Sequence, residues 1–163
     1  MKTVELATPL PKLDWRWVDG AAAAVNETTS DAGVFRFEPG GTAGEYAPTV
    51  RFIDRHGQVR WTYTTDGREA FLLAHGGVLY AAIYSPSATG AHVLALDGAT
   101  GRVLWNAPIL GLGSMMHSRY QNRVQMQRSA EQLAVYGDES GGRYLELLDP
   151  ATGTRVFHAR FDR

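Results

Sequence analysis

Apolar and polar residues alternate in short bursts along most of this chain, with the period of two that marks a strand half buried against a core. The pattern is clearest over 68–108. It predicts strands over 71–74, 78–84, 92–96 and 103–106, bounded by Gly76-Gly77, by the Ser-Pro-Ser-Ala-Thr-Gly run at 85–90 and by a turn at 97–101. Four short strands with a turn signal between each pair form an antiparallel meander. The same pattern predicts strands over 22–25, 34–37, 50–53 and 59–63 in a repeat covering 21–64, and over 123–127, 133–136, 144–148 and 155–159 in a repeat covering 121–161. Residues 13–18 also alternate. By the ten-residue spacing of Trp61 to Phe71, Trp17 stands where the outer strand of a preceding blade would, so 13–18 reads as a lone outer strand. Residues 1–12, with Pro9 and Pro11, read as an arm, and helix is expected only as a single turn near 113–119.

The turns carry a shared chemistry. Asp97, Gly101 and Trp105 recur as Asp149, Gly153 and Phe157, and in a form one residue shorter as Asp54, Gly57 and Trp61; the aromatic falls four residues after the Gly each time. An Asp at the head of such a turn accepts backbone N–H bonds from two residues on, and a Gly at its end adopts the left-handed conformation that starts the return strand. The three aspartates are 43 and 52 residues apart, a period of one four-stranded unit. The excess lies between Trp105 and Val124, 19 residues apart where Trp61 and Phe71 are 10 apart, so about nine residues are inserted in the connector 107–122.

The set Ala95, Asp97, Thr100, Gly101, Arg102 and Trp105 resembles the tryptophan-docking repeat of the quinoprotein-type (PQQ-like) β-propellers, where a basic residue follows the Gly. The resemblance implies an all-β, β-propeller-like fold: about three four-stranded antiparallel blades plus an extra N-terminal strand, in one domain over 1–163. Propellers typically carry about four to eight blades, so the ring is expected to be incomplete in one chain. A second copy in a dimer would supply the missing neighbours, since an open wedge leaves an apolar face and unpaired edges. A compact wrap of the same hairpins is the other arrangement left open.

Composition narrows the chemistry. The 163 residues suffice for a core without staples. Lys plus Arg number 16 against 17 Asp plus Glu, which gives no bulk electrostatic case for nucleic acid or an anionic membrane. The absence of Cys excludes disulfides, thiolate zinc sites and cysteine nucleophiles. No apolar run has the length of a membrane-spanning helix, and residues 1–10 show no signal-peptide core, so the expected compartment is the cytoplasm as written, or the periplasm if a leader was removed. The family resemblance implies the periplasm.

Candidate sites follow from what the repeat does not require. The inserted connector holds Met115, Met116, His117, Arg119 and Tyr120, with Arg123 just after it, residue types enriched at interface cores. The competing structural reading has Met115, Met116 and Tyr120 plugging a central gap while Arg119 and Arg123 pair with carboxylates. Trp61, Trp105 and Phe157 are read as packing between blades. His56, His75, His92, His117 and His158 are scattered without ligand spacing, so no metal is expected. No Gly-x-Ser-x-Gly elbow occurs, and Gly111-Leu-Gly113 lacks the third glycine of a dinucleotide fingerprint.

Two functional routes come with the resemblance. A quinoprotein dehydrogenase would hold pyrroloquinoline quinone and calcium over the axis of an eight-bladed ring, and this chain lacks the adjacent cysteine pair and the catalytic aspartate motif that go with it. The non-catalytic branch uses the propeller as a binding scaffold. The expectation is therefore a non-enzymatic protein-interaction module of a bacterial accessory or immunity type, with a protein partner and no cofactor, nucleic acid or membrane insertion. The alternative is a propeller that binds a small molecule, cofactor or metal at the axis of an assembled ring.

Overall fold

A computed structural model describes residues 25–41, 46–85, 91–110, 124–139 and 142–162. The arm 1–12, the lone strand 13–18 and all six candidate interface residues, Met115, Met116, His117, Arg119, Tyr120 and Arg123, lie outside them, as does the turn near 113–119. Among the described residues there are twelve strands and no α-helix, and none is a candidate membrane-spanning helix.

The strands form three antiparallel four-stranded sheets, each a plain meander in chain order. The first holds β1 (Glu27–Ser30), β2 (Gly33–Glu38), β3 (Thr49–Asp54) and β4 (Val59–Thr64). The second holds β5 (Glu69–His75), β6 (Val78–Tyr84), β7 (His92–Asp97) and β8 (Val103–Pro108). The third holds β9 (Gln125–Arg128), β10 (Leu133–Glu139), β11 (Gly142–Leu148) and β12 (Arg155–Asp162). The first strands β1, β5 and β9 lie beside one another, so the sheets stand as blades with their inner edges together. Among the described residues they do not close into a ring.

Eleven of the twelve expected strands are met within a few residues at either end. For the first, expected over 22–25, residues 22–24 lie outside the described residues, and the strand that pairs with β2 is Glu27–Ser30. The turn decides this: β2 opens at Gly33, which pairs with Ser30 across the two-residue link Asp31-Ala32, so its hairpin partner runs back from Ser30. Val25 instead serves the second sheet, donating its N–H to Ala70 and accepting from Leu72.

Two apolar layers lie between the sheets. Phe35, Phe37, Val50, Phe52 and Trp61 of the first sheet pack on Leu72, Leu79, Ile83, Leu94 and Leu96 of the second. The opposite face of the second sheet, with Tyr80, Tyr84, Val93 and Trp105, packs on Val124, Met126, Leu133, Val135, Tyr144 and Leu148. The second sheet is thus covered on both faces, which is why its middle strands read as continuous apolar runs rather than alternating ones. Ala134, Tyr136, Leu145 and Leu147, with Phe157 against them, form a third cluster on the far face of the third sheet.

Candidate functional site

The repeated turns lock one sheet to the next. Asp54 Oδ1 accepts from the N–H of His56 and Gln58, Asp97 Oδ1 from Ala99 and Thr100, and Asp149 Oδ1 from Ala151. These backbone donors, Gln58 first, hold the Asp54 carboxyl below the usual carboxylate range. Gly57, Gly101 and Gly153 follow with φ of 78°, 75° and 74°. Just before each turn a bulge falls at the same place, at Phe52/Ile53, Ala95/Leu96 and Leu147/Leu148. The aromatic four residues on then reaches the following sheet. Trp61 Nε1 donates to the Gly98 carbonyl at 2.9 Å and its ring lies on Gly101, where a Cβ would stand 2.6 Å from Cδ2. Trp105 repeats this one sheet later, on the Pro150 carbonyl at 2.8 Å and on Gly153. Phe157, their register equivalent, is half-buried over Ala134, Tyr136, Leu145 and Leu147.

The segment that breaks the repeat is fixed at both roots. After β8, Ile109 is buried in the layer between the second and third sheets and donates its N–H to Ala91 at 2.8 Å; Val124, where the chain returns, is buried in the same layer. Next to Ile109, the Leu110 N–H meets Glu146 Oε1 at 3.2 Å, and that oxygen also accepts from Arg155 Nε at 2.6 Å. Arg155 donates a further bond to the Pro108 carbonyl. Glu146 is 3% exposed and Arg155 19%, so the third sheet grips 108–110 through a buried ion pair. The shorter connector 65–68 is held by a different device: Asp66 Oδ1 lies 2.9 Å from His92 Nε2, whose other ring nitrogen faces Asn106 Oδ1 at 3.1 Å.

The Glu146–Arg155 pair was not singled out in the sequence, although it left a signal: Glu146 is the one charge inside the apolar run 144–148, and Arg155 opens the strand that pairs with it. The four histidines among the described residues fall in separate places, and no group of three His, Asp or Glu there is placed to hold a metal ion. In the acidic hairpin, Asp138 pairs across the strands with Arg143 at 3.5 Å.

No protein-family model matches the sequence, and no curated protein matches it. Its likenesses are among solved structures. A europium-containing methanol dehydrogenase superposes on 91% of this chain at a TM-score of 0.61 and 15% identity, with the match covering 27% of that protein. The quinohemoprotein alcohol dehydrogenase from Comamonas testosteroni superposes on 85% at a TM-score of 0.54 and 16% identity, covering 21% of its own length. BamB from Moraxella catarrhalis matches over 78% of this chain and 38% of its own, with a TM-score of 0.49 and 20% identity. This chain therefore spans about a quarter of the methanol dehydrogenase it resembles. At these identities the first two likenesses establish fold alone: the three sheets are arranged as blades of a β-propeller.

Proposed function

We propose that this protein is a non-enzymatic interaction scaffold whose blades present the inserted segment 107–122, with Met115, Met116, His117, Arg119 and Tyr120, and Arg123 just after it, to a protein partner. One observation carries the reading: the insertion in the connector between the second and third repeats is gripped at its root by a buried ion pair and by core residues on both sides. A segment tethered to rigid sheets loses less freedom on binding than a free one. Replacing Met116, Arg119 and Tyr120 together by Ala is expected to abolish partner capture in a pull-down while the unfolding midpoint moves by only about 2 °C. Unaltered capture would put the site elsewhere.

A second reading concerns assembly. Phe157 occupies the place from which Trp61 and Trp105 dock on a following sheet, while Ala134, Tyr136, Leu145 and Leu147 beneath it are already buried within one chain. We propose that the following sheet is supplied by a second copy in a dimer. Light scattering should then give about twice the 17.8 kDa of one chain, and a single-chain mass would overturn the proposal.

A further inference from the structure

The clefts between successive blades are built to one plan, and comparing them position by position shows that the first lacks a side chain the second contains. Pairing across the strands equates Phe35 of the first sheet with Tyr80 of the second, since each pairs with the residue opposite the docking tryptophan. It equates Ala74 at the end of β5 with Arg128 at the end of β9, because they pair with Leu79 and Leu133, which hold the same place in β6 and β10. It equates Gly98 with Pro150 in the turns that receive the indole N–H groups.

In the second cleft, Arg128 lies over the Tyr80 ring with its guanidinium carbon 5.9 Å from the centroid. Its Nε donates to Tyr80 Oη at 3.4 Å and an Nη to the Ser129 carbonyl. In the first cleft the corresponding residues are Ala74 and Gly98, and a cavity of about 650 Å³ opens there. Its floor is the stacked pair Phe35 and Phe52, ring centroids 4.9 Å apart. His75, the counterpart of Ser129, lines it, and Asp31 stands at its edge with no ion pair among the described residues. Arg60, also in the wall, has Nη1 3.9 Å from Asp54 Oδ2.

We propose that this cleft receives an arginine side chain of a partner polypeptide, which takes the place that Arg128 fills from within the chain one blade later. An aromatic floor attracts a guanidinium through the ring quadrupole. The planar fork can at the same time donate to a backbone carbonyl, here that of His75, and to the Asp31 carboxylate. A lysine would make a single point contact and an isosteric neutral group neither. The proposal rests on the scaffold reading but shares no residue with 107–122, so the two fail separately.

The test is titration of the isotope-labelled protein with the blocked peptide acetyl-Gly-Arg-Gly-amide, followed by amide chemical shifts. Saturable shifts around Asp31, His75 and Gly98 are expected, with a dissociation constant on the order of 1 mM, as suits one anchored side chain. The citrulline peptide should not saturate. Ala74→Arg, which fills the cleft from within, and Asp31→Asn, a change on an exposed turn, should each weaken binding by roughly tenfold or more. Equal binding of the arginine and citrulline peptides, or undiminished binding by Ala74→Arg together with Asp31→Asn, would overturn the proposal. So would free arginine binding as tightly as the peptide, which would assign the cleft to a small molecule.

Discussion

Glu146→Ala should lower the unfolding free energy by about 3–5 kcal/mol, the usual loss when one member of a buried ion pair is removed and the other is left uncompensated. The Glu146 carboxylate is almost fully enclosed and its Oε1 serves both Arg155 Nε and the Leu110 N–H. Truncation leaves the Arg155 guanidinium with the Pro108 carbonyl but no counter-charge, and takes from Leu110 its acceptor. For a chain of this size the midpoint should fall by roughly 10 °C. The second arm of the test is the pair as a whole: Glu146→Leu with Arg155→Leu should be much less destabilising than the two single losses added together, because no unpaired charge remains buried. Urea unfolding of the wild type, Glu146→Ala, the two single leucine variants and the double variant reads this directly. A loss under about 1 kcal/mol for Glu146→Ala would mean that the pair does not hold the root of the insertion.

The same pair shows why some of the site was hidden in the sequence. Strand positions were legible because turn chemistry is local: Asp97, Gly101 and Trp105 announce a hairpin within a few residues, and an alternation of period two fixes which side chains face a layer. The strand that escaped, Glu27–Ser30, has no apolar face to announce it; its pattern is exposed almost throughout, and the alanine-rich stretch before it is the more apolar choice in the sequence. Glu146 and Arg155 are nine residues apart on neighbouring strands, and only the register, with its bulge at Leu147/Leu148, brings them together. The cleft over Phe35 was harder still, because it is made by side chains that are missing. Ala74 and Gly98 mean nothing until the pairing sets them against Arg128 and Pro150.

A similar comparison across repeats gives the other large effect. Gly57, Gly101 and Gly153 occupy the same turn position with nearly the same φ, yet their surroundings differ. A Cβ at Gly101 would stand 2.6 Å from Trp61 Cδ2 and 2.7 Å from Cε3, and at Gly153 2.5 Å from Trp105 Cε3, while at Gly57 nothing lies within 4 Å. The left-handed backbone alone costs a residue with a Cβ about 1–2 kcal/mol, and forcing the indole off its seat adds roughly 1–3. Gly101→Ala and Gly153→Ala are therefore expected to lose about 3 kcal/mol, and Gly57→Ala about 1. Because the chemical change and the backbone conformation are the same at all three, the difference isolates the contact between the tryptophan and the next blade. A double-mutant cycle completes the argument. In a Trp61→Ala background, itself destabilised by about 3–5 kcal/mol, Gly101→Ala should cost only what it costs at Gly57. If Gly57→Ala proves as damaging as Gly101→Ala, the turn's backbone, and not the docked indole, is what requires glycine there.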